Sequence, residues 1–198
     1  MSSPYHLQTK NNWFAITKKL ILAHPLKQEI LIKAVLESWD NIFASGIGNK
    51  QFRIGKDIFP SPQIMGFFLH ELIPLTIKTI EEGKWNKGMN KNEPDLVCLF
   101  DSNYSVEIKT SSNKNKIFGN RSYGQKSKKS NKLKDGYYLS VNFEKFSESK
   151  EPKIRLIRFG WLDHSDWISQ KASTGQQARL TKDADAFKLI ELYPYSKL

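Results

Sequence analysis

Three side chains stand out by type and spacing: Asp95, preceded by Pro94, and the pair Glu107 and Lys109 separated by Ile108. Two carboxylates can converge on one hard divalent cation such as Mg²⁺, which takes oxygen ligands at about 2.0–2.1 Å. A cation held this way lowers the pKa of a bound water. An ammonium beside it can stabilise the hydroxide and the charge that builds on a phosphate. The chemistry within reach is hydrolysis of a phosphodiester.

The elements that must position these groups are two short strands. Asp95–Phe100 is an apolar, β-prone run, Asp101, Ser102 and Asn103 are turn formers, and Tyr104–Thr110 alternates. Period two puts Val106 and Ile108 on one face and Glu107 and Lys109 on the other. If Phe100 and Tyr104 close the turn, Asp95 lies opposite Lys109 and diagonal to Glu107, roughly 7–8 Å away. The bland alternative is a surface hairpin with a Glu–Lys pair, which contributes little.

Upstream, the apolar spacing predicts helices over Trp13–Leu22, ended by Pro25, and over Leu26–Ser45, with Gly46 as C-terminal cap. Ile47–Ser61 reads as a loop whose Lys50, Arg53 and Lys56 could meet phosphate. A third helix spans Pro62–Ile80, apolar almost all round and therefore expected to be buried, with Pro74 kinking it near His70. Glu71 sits among apolar helical neighbours, where an unpaired carboxylate is costly. It should therefore reach solvent or hold a cation.

Downstream, Ser111–Lys134 carries eight basic residues and no acidic one, with Ile117, Phe118 and Tyr123 interleaved. It follows the acid-bearing strand directly, so it should flank whatever the cation binds. Lys114, Lys116 and Lys126 suit phosphates, while Asn120, Arg121 and Gln125 could reach base edges. Gly136–Phe143 and Ile154–Leu162 read as strands. Asp163–Asp166 reads as the cap of a short helix. Gln176, Gln177 and Arg179 have groups that match adenine and guanine edges, or else begin an exposed helix. Phe187–Tyr193 closes the chain as strand or helix.

At 198 residues, 39% apolar and with five tryptophans, the chain can bury a core and is expected to be one domain, mainly helical over 1–93. The net charge of +11 favours a polyanionic partner. The single cysteine, Cys98, permits neither a disulfide framework nor a zinc site. The polar opening and the lack of a long apolar run predict a cytoplasmic protein without a membrane span.

Pro94-Asp95 and Glu107-Ile108-Lys109 resemble the signature of the PD-(D/E)XK nuclease superfamily. More of the second half is similar to the ScaI-type family of type II restriction endonucleases: Glu107–Ser112, Lys116–Gly124, Gly160–Trp167 and Thr174–Ala178. The resemblance implies an α/β restriction-endonuclease-like fold, with a central mixed β-sheet flanked by helices on both faces. It implies Mg²⁺ held by Asp95 and Glu107, water activation by Lys109, and a helix-borne acid, here Glu71, as a further catalytic and metal ligand. It also implies a homodimer cutting double-stranded DNA at a short palindrome, and a cognate DNA methyltransferase. Two rivals stay open: a Holliday junction resolvase or repair nuclease, and a non-catalytic nucleic-acid-binding module.

Overall fold

The structure is a computed structural model that describes residues 3–90, 92–124, 134–172 and 174–194. Gln125 and Lys126 lie outside the described residues.

Two helices open the chain, α1 (Lys10–Ala23) and α2 (Gln28–Ala44). α1 stops at His24, which is extended as a residue before proline must be. Ser45, not Gly46, caps α2; its backbone is extended, and its hydroxyl donates to Asn41 O at 2.6 Å. Gly46 instead begins a small hairpin within the predicted loop, β1 (Gly46–Ile47) with β2 (Phe52–Arg53). Then comes α3 (Pro62–Ile80), which has the predicted bounds. It is not buried all round: Met65, Leu69, Ile73 and Ile77 face the core, whereas Ile64, Phe67 and Leu75 are exposed.

The strands follow: β3 (Trp85–Lys87), β4 (Leu96–Cys98), β5 (Val106–Ser111), β6 (Phe118–Asn120), β7 (Gly136–Phe143), β8 (Ile154–Leu162), β9 (Trp167–Ser169) and β10 (Gln177–Leu180). A short helix, α4 (Lys182–Phe187), precedes the last strand, β11 (Leu189–Tyr193). The main sheet has the order β11-β8-β7-β5-β4-β3, with β5 and β7 parallel and every other pair antiparallel. A second sheet has the order β6-β10-β9.

Side-chain alternation divides the main sheet into two faces. Val106, Ile108, Tyr137, Leu139, Val141, Ile157 and Phe159 share one core with α1, α2 and α3. Tyr138 and Leu162 point the other way and pack with Ile117, Tyr123, Trp167, Ala178, Leu180 and Ala184. Helices thus flank both faces, the long three on one and α4, together with the second sheet, on the other.

Joining parallel strands requires a crossover of a dozen or more residues. Between β5 and β7 that crossover is the Lys-rich segment, so its described part is not a plain solvated loop. β6 pairs with β10, and Ile117 and Tyr123 are buried.

Candidate active site

The geometry of the site begins where the β4–β5 ladder ends. The described pairing is Leu96 with Val106, two residues short of the register expected from a tight turn. A 3₁₀ turn at Ser102–Tyr104, capped by the Asp101 side chain on Asn103 N–H, takes up the difference. Asp95 therefore lies level with Glu107 rather than Lys109. Past Val106, β5 has no ladder partner on the β4 side, so the Ile108 N–H donates to Asp95 Oδ2 at 2.7 Å. The Ile108 carbonyl accepts from Lys109 Nζ at 3.2 Å.

Glu107 and Lys109 share the face opposite the helical core, as alternation predicts. Their side chains are only 9% and 12% exposed, and Lys109 Nζ lies 2.6 Å from Glu107 Oε1. Tyr123 donates its hydroxyl to the same oxygen at 2.6 Å, and its ring lies under Lys109 Nζ at 4.9 Å. Burial first, and then the charge of Glu107, pushes the Tyr123 hydroxyl far above the usual range, so it remains a donor. Burial also pushes Asp95 upward. The nearby His70 imidazole, the charge of Lys109 and the Ile108 N–H outweigh it and hold the carboxyl below the usual range. His70 Nδ1 is 3.6 Å from Asp95 Oδ2.

These groups line a cleft of about 410 Å³ formed by His70, Glu107, Lys109, Thr110, Tyr123 and the Phe118–Asn120 strand. A second cleft of about 610 Å³ shares His70, Thr110 and Phe118 with it and extends along the start of α3 to Gln177. One groove thus runs between α3 and the second sheet, past Glu107.

Glu71 does not line this groove. Its carboxylate pairs with Lys87 of β3, which supplies the cation that its apolar surroundings demanded. The α3 side chain that faces the cleft is His70, one residue earlier. Arg121 is turned inward: its guanidinium donates to Gly175 O at 3.1 Å, and its N–H donates to Gln176 O at 2.8 Å. Lys114, Lys116, Asn120, Gln176, Gln177 and Arg179 are exposed. Tyr123 and the Ile108 carbonyl were not singled out from sequence, because neither a phenol in a basic segment nor a backbone oxygen carries a spacing signal.

Among the described residues, no three or more His, Cys, Asp and Glu gather where one ion could hold them. The oxygens nearest Ile108 that could hold a cation are those of Asp95, Glu107 and the Ile108 carbonyl, of which the carbonyl and Glu107 Oε1 accept from Lys109 in this structure. An all-oxygen set is the kind that a hard divalent cation takes. No helix among the described residues is long and apolar enough to cross a membrane.

A six-stranded mixed sheet whose inner strand carries a buried glutamate and a partly covered lysine, with an aspartate just before the neighbouring strand, is the arrangement of a restriction-endonuclease-like fold. The family model described as ScaI restriction endonuclease matches residues 3–193. The chain is 46% identical over 194 residues to the type II restriction enzyme ScaI of Streptomyces caespitosus, covering 96% of this chain and 85% of that protein. It belongs to the ScaI restriction endonuclease family and is a type II restriction endonuclease.

Proposed function

We propose that the protein hydrolyses phosphodiester bonds of double-stranded DNA at a short palindromic site, as a Mg²⁺-dependent homodimer in the cytoplasm. The observation that carries this reading is the placement of Glu107 and Lys109 in a groove open along α3 and β6, with Asp95 bonded to the Ile108 N–H between them. Asp95, Glu107 and the Ile108 carbonyl would hold the cation. When bound, Mg²⁺ supplies Lewis acidity and lowers the pKa of a coordinated water. Lys109 stabilises the anionic phosphate, where its low exposure strengthens the attraction. Tyr123 fixes the orientation of Glu107. Water attacks the phosphorus in line, the bond to the 3′ oxygen breaks, and a 5′-phosphate is left. Lys114 and Lys116, exposed on the approach to β6, contact backbone phosphates without reading sequence.

Digestion of a plasmid of known sequence tests this. With Mg²⁺ the protein should give discrete fragments whose mapped ends share one palindrome, and EDTA should abolish the cutting. DNA modified by the cognate methyltransferase should resist. Asp95→Asn and Glu107→Gln should lose cleavage and keep duplex binding. An uncut plasmid beside a resolved four-way junction would replace this reading with that of a structure-specific nuclease. Binding without cleavage of any DNA would leave a binding module.

A further inference from the structure

The second sheet has one buried face and one exposed face, and the exposed face is chemically specific. Ala178, Leu180 and Trp167 are buried beneath it, and Gly119 packs against the Tyr123 and Trp167 rings. On the outer face, Asn120 of β6 lies directly across from Gln177 of β10, and Arg179 follows on the same side of β10. Side chains directly opposed on antiparallel strands have Cβ atoms about 4.5–5.5 Å apart, so two amides sit side by side. Arg179 lies about 6.6 Å further along the strand, close to two base-pair steps of about 3.4 Å. Its other neighbour, Ile168 of β9, is 42% exposed, an apolar surface at the rim of a polar face.

This face belongs to the catalytic groove. Asn120 lines the same cleft as Glu107 and Lys109, and Gln177 lines the adjoining cleft with His70 and Thr110. A duplex that enters this groove to meet Glu107 therefore passes Asn120 and Gln177.

We propose that the β6–β10 pair is the base-reading element, a two-stranded ribbon laid in the major groove, with Asn120 and Gln177 reading adenine and Arg179 reading guanine. The inference rests on the nuclease reading above. The major groove is about 12 Å wide and admits such a ribbon; Asn and Gln pair bidentately with adenine N6 and N7, and Arg with guanine O6 and N7. Ile168 at the rim offers its side chain to a thymine methyl. The buried contacts of Ala178 and Tyr123, together with the Arg121 bonds to Gly175 and Gln176, hold the ribbon rigid, which base discrimination requires.

The test is selection of bound sequences from a random duplex pool by the intact chain in Ca²⁺, with plasmid cleavage in Mg²⁺ scored in parallel. Wild type should select one motif. Arg179→Ala should relax it at one G·C pair per half-site, losing on the order of ten- to a hundredfold in discrimination there. Arg179→Lys, which keeps the charge and loses the fork, should relax the same position. Asn120→Ala and Gln177→Ala should each relax an A·T pair. Lys114→Ala should weaken binding to every sequence and leave the motif intact. Cleavage with motifs unchanged in all four ribbon variants would overturn the ribbon and spare the nuclease. Selection without cleavage, relaxed in the ribbon variants, would do the reverse. Neither selection nor cleavage by wild type would overturn both.

Discussion

Tyr123 and Lys109 both donate to one oxygen of Glu107, each at 2.6 Å. The orientation of the strand-borne carboxylate is thus set by a residue from the crossover, outside the signature. A hydrogen bond to a charged group contributes about 1.5–3 kcal/mol. Tyr123→Phe keeps the ring beneath Lys109 and removes that bond. Single-turnover cleavage should fall about ten- to a hundredfold by that magnitude, with a higher Mg²⁺ requirement and unchanged duplex binding in Ca²⁺. An unchanged rate across a Mg²⁺ titration would mean that Lys109 alone orients Glu107.

Gly88 performs a similar service for Asp95. Its N–H donates to Asp95 O at 3.0 Å, and a Cβ there would collide with the carbonyl oxygen of Pro94. Gly88→Ala must push the Pro94–Asp95 backbone away from β3. A shift of about 1 Å in a catalytic group can cost about a hundredfold. The rate should drop by that order while the far-ultraviolet circular dichroism stays native. A wild-type rate would show that the backbone yields elsewhere.

The part of the site legible in the sequence was the part with a period. Alternation placed Glu107 and Lys109 on one face and Val106 and Ile108 in the core; apolar runs bounded β7 and β8, and the N-terminal proline Pro62 marked the start of α3. Register was not legible, because Asp101–Tyr104 can close as a tight turn or as a 3₁₀ turn, and the choice moves Asp95 by two residues. Glu71 was expected to reach solvent or hold a cation, and it does both, 37% exposed and paired with Lys87. Its partner, Lys87, comes from a strand sixteen residues later that helical spacing cannot reveal. The Lys-rich crossover looked like loop because its core contacts, Ile117 and Tyr123, pack against residues of β7, β9 and β10 that are distant in sequence.

His24 makes stability depend on acidity. It is fully buried, ringed by Trp85, Tyr104, Tyr137 and Phe159, and bonded through Nε2 to Tyr104 O at 3.0 Å. Burial pushes its pKa down to about 4, against the partial lift from its backbone bonds. The folded pKa lies below the unfolded value of about 6.5, so the unfolded chain takes up the proton first as pH falls. The contribution is complete above about pH 6.5 and is lost progressively down to about 4, a change of about 3 kcal/mol. Asp95, whose carboxyl is held down, acts lower: its contribution is present above about pH 3.9 and is lost below it. Urea unfolding between pH 7.5 and 4.5 should show the His24 slope, and His24→Phe should flatten it. Parallel slopes for the two proteins would exclude His24 as the source.

Lys188 ties the core to the second sheet. It is buried, lies 4.2 Å from both the Tyr5 and Trp13 rings, and donates to Asp163 Oδ2 at 2.7 Å and to Asp166 Oδ1 at 2.9 Å. Burial pushes Asp166 upward even with this partner in place. The backbone carbonyl of Asp166 accepts from Thr181 N–H at 2.8 Å, directly after β10. Removing one member of a buried charge cluster leaves the others uncompensated, at a cost of about 3–5 kcal/mol. Lys188→Met should lower unfolding free energy in urea by that order, and adding Asp163→Asn and Asp166→Asn should return most of it. Because Asp166 anchors the end of β10, the single variant should also show faster amide exchange at Ala178 and Leu180 than at Leu139 and Val141 of the main sheet. Uniform exchange across both sheets would mean that the charge cluster stabilises the whole fold and not the second sheet in particular.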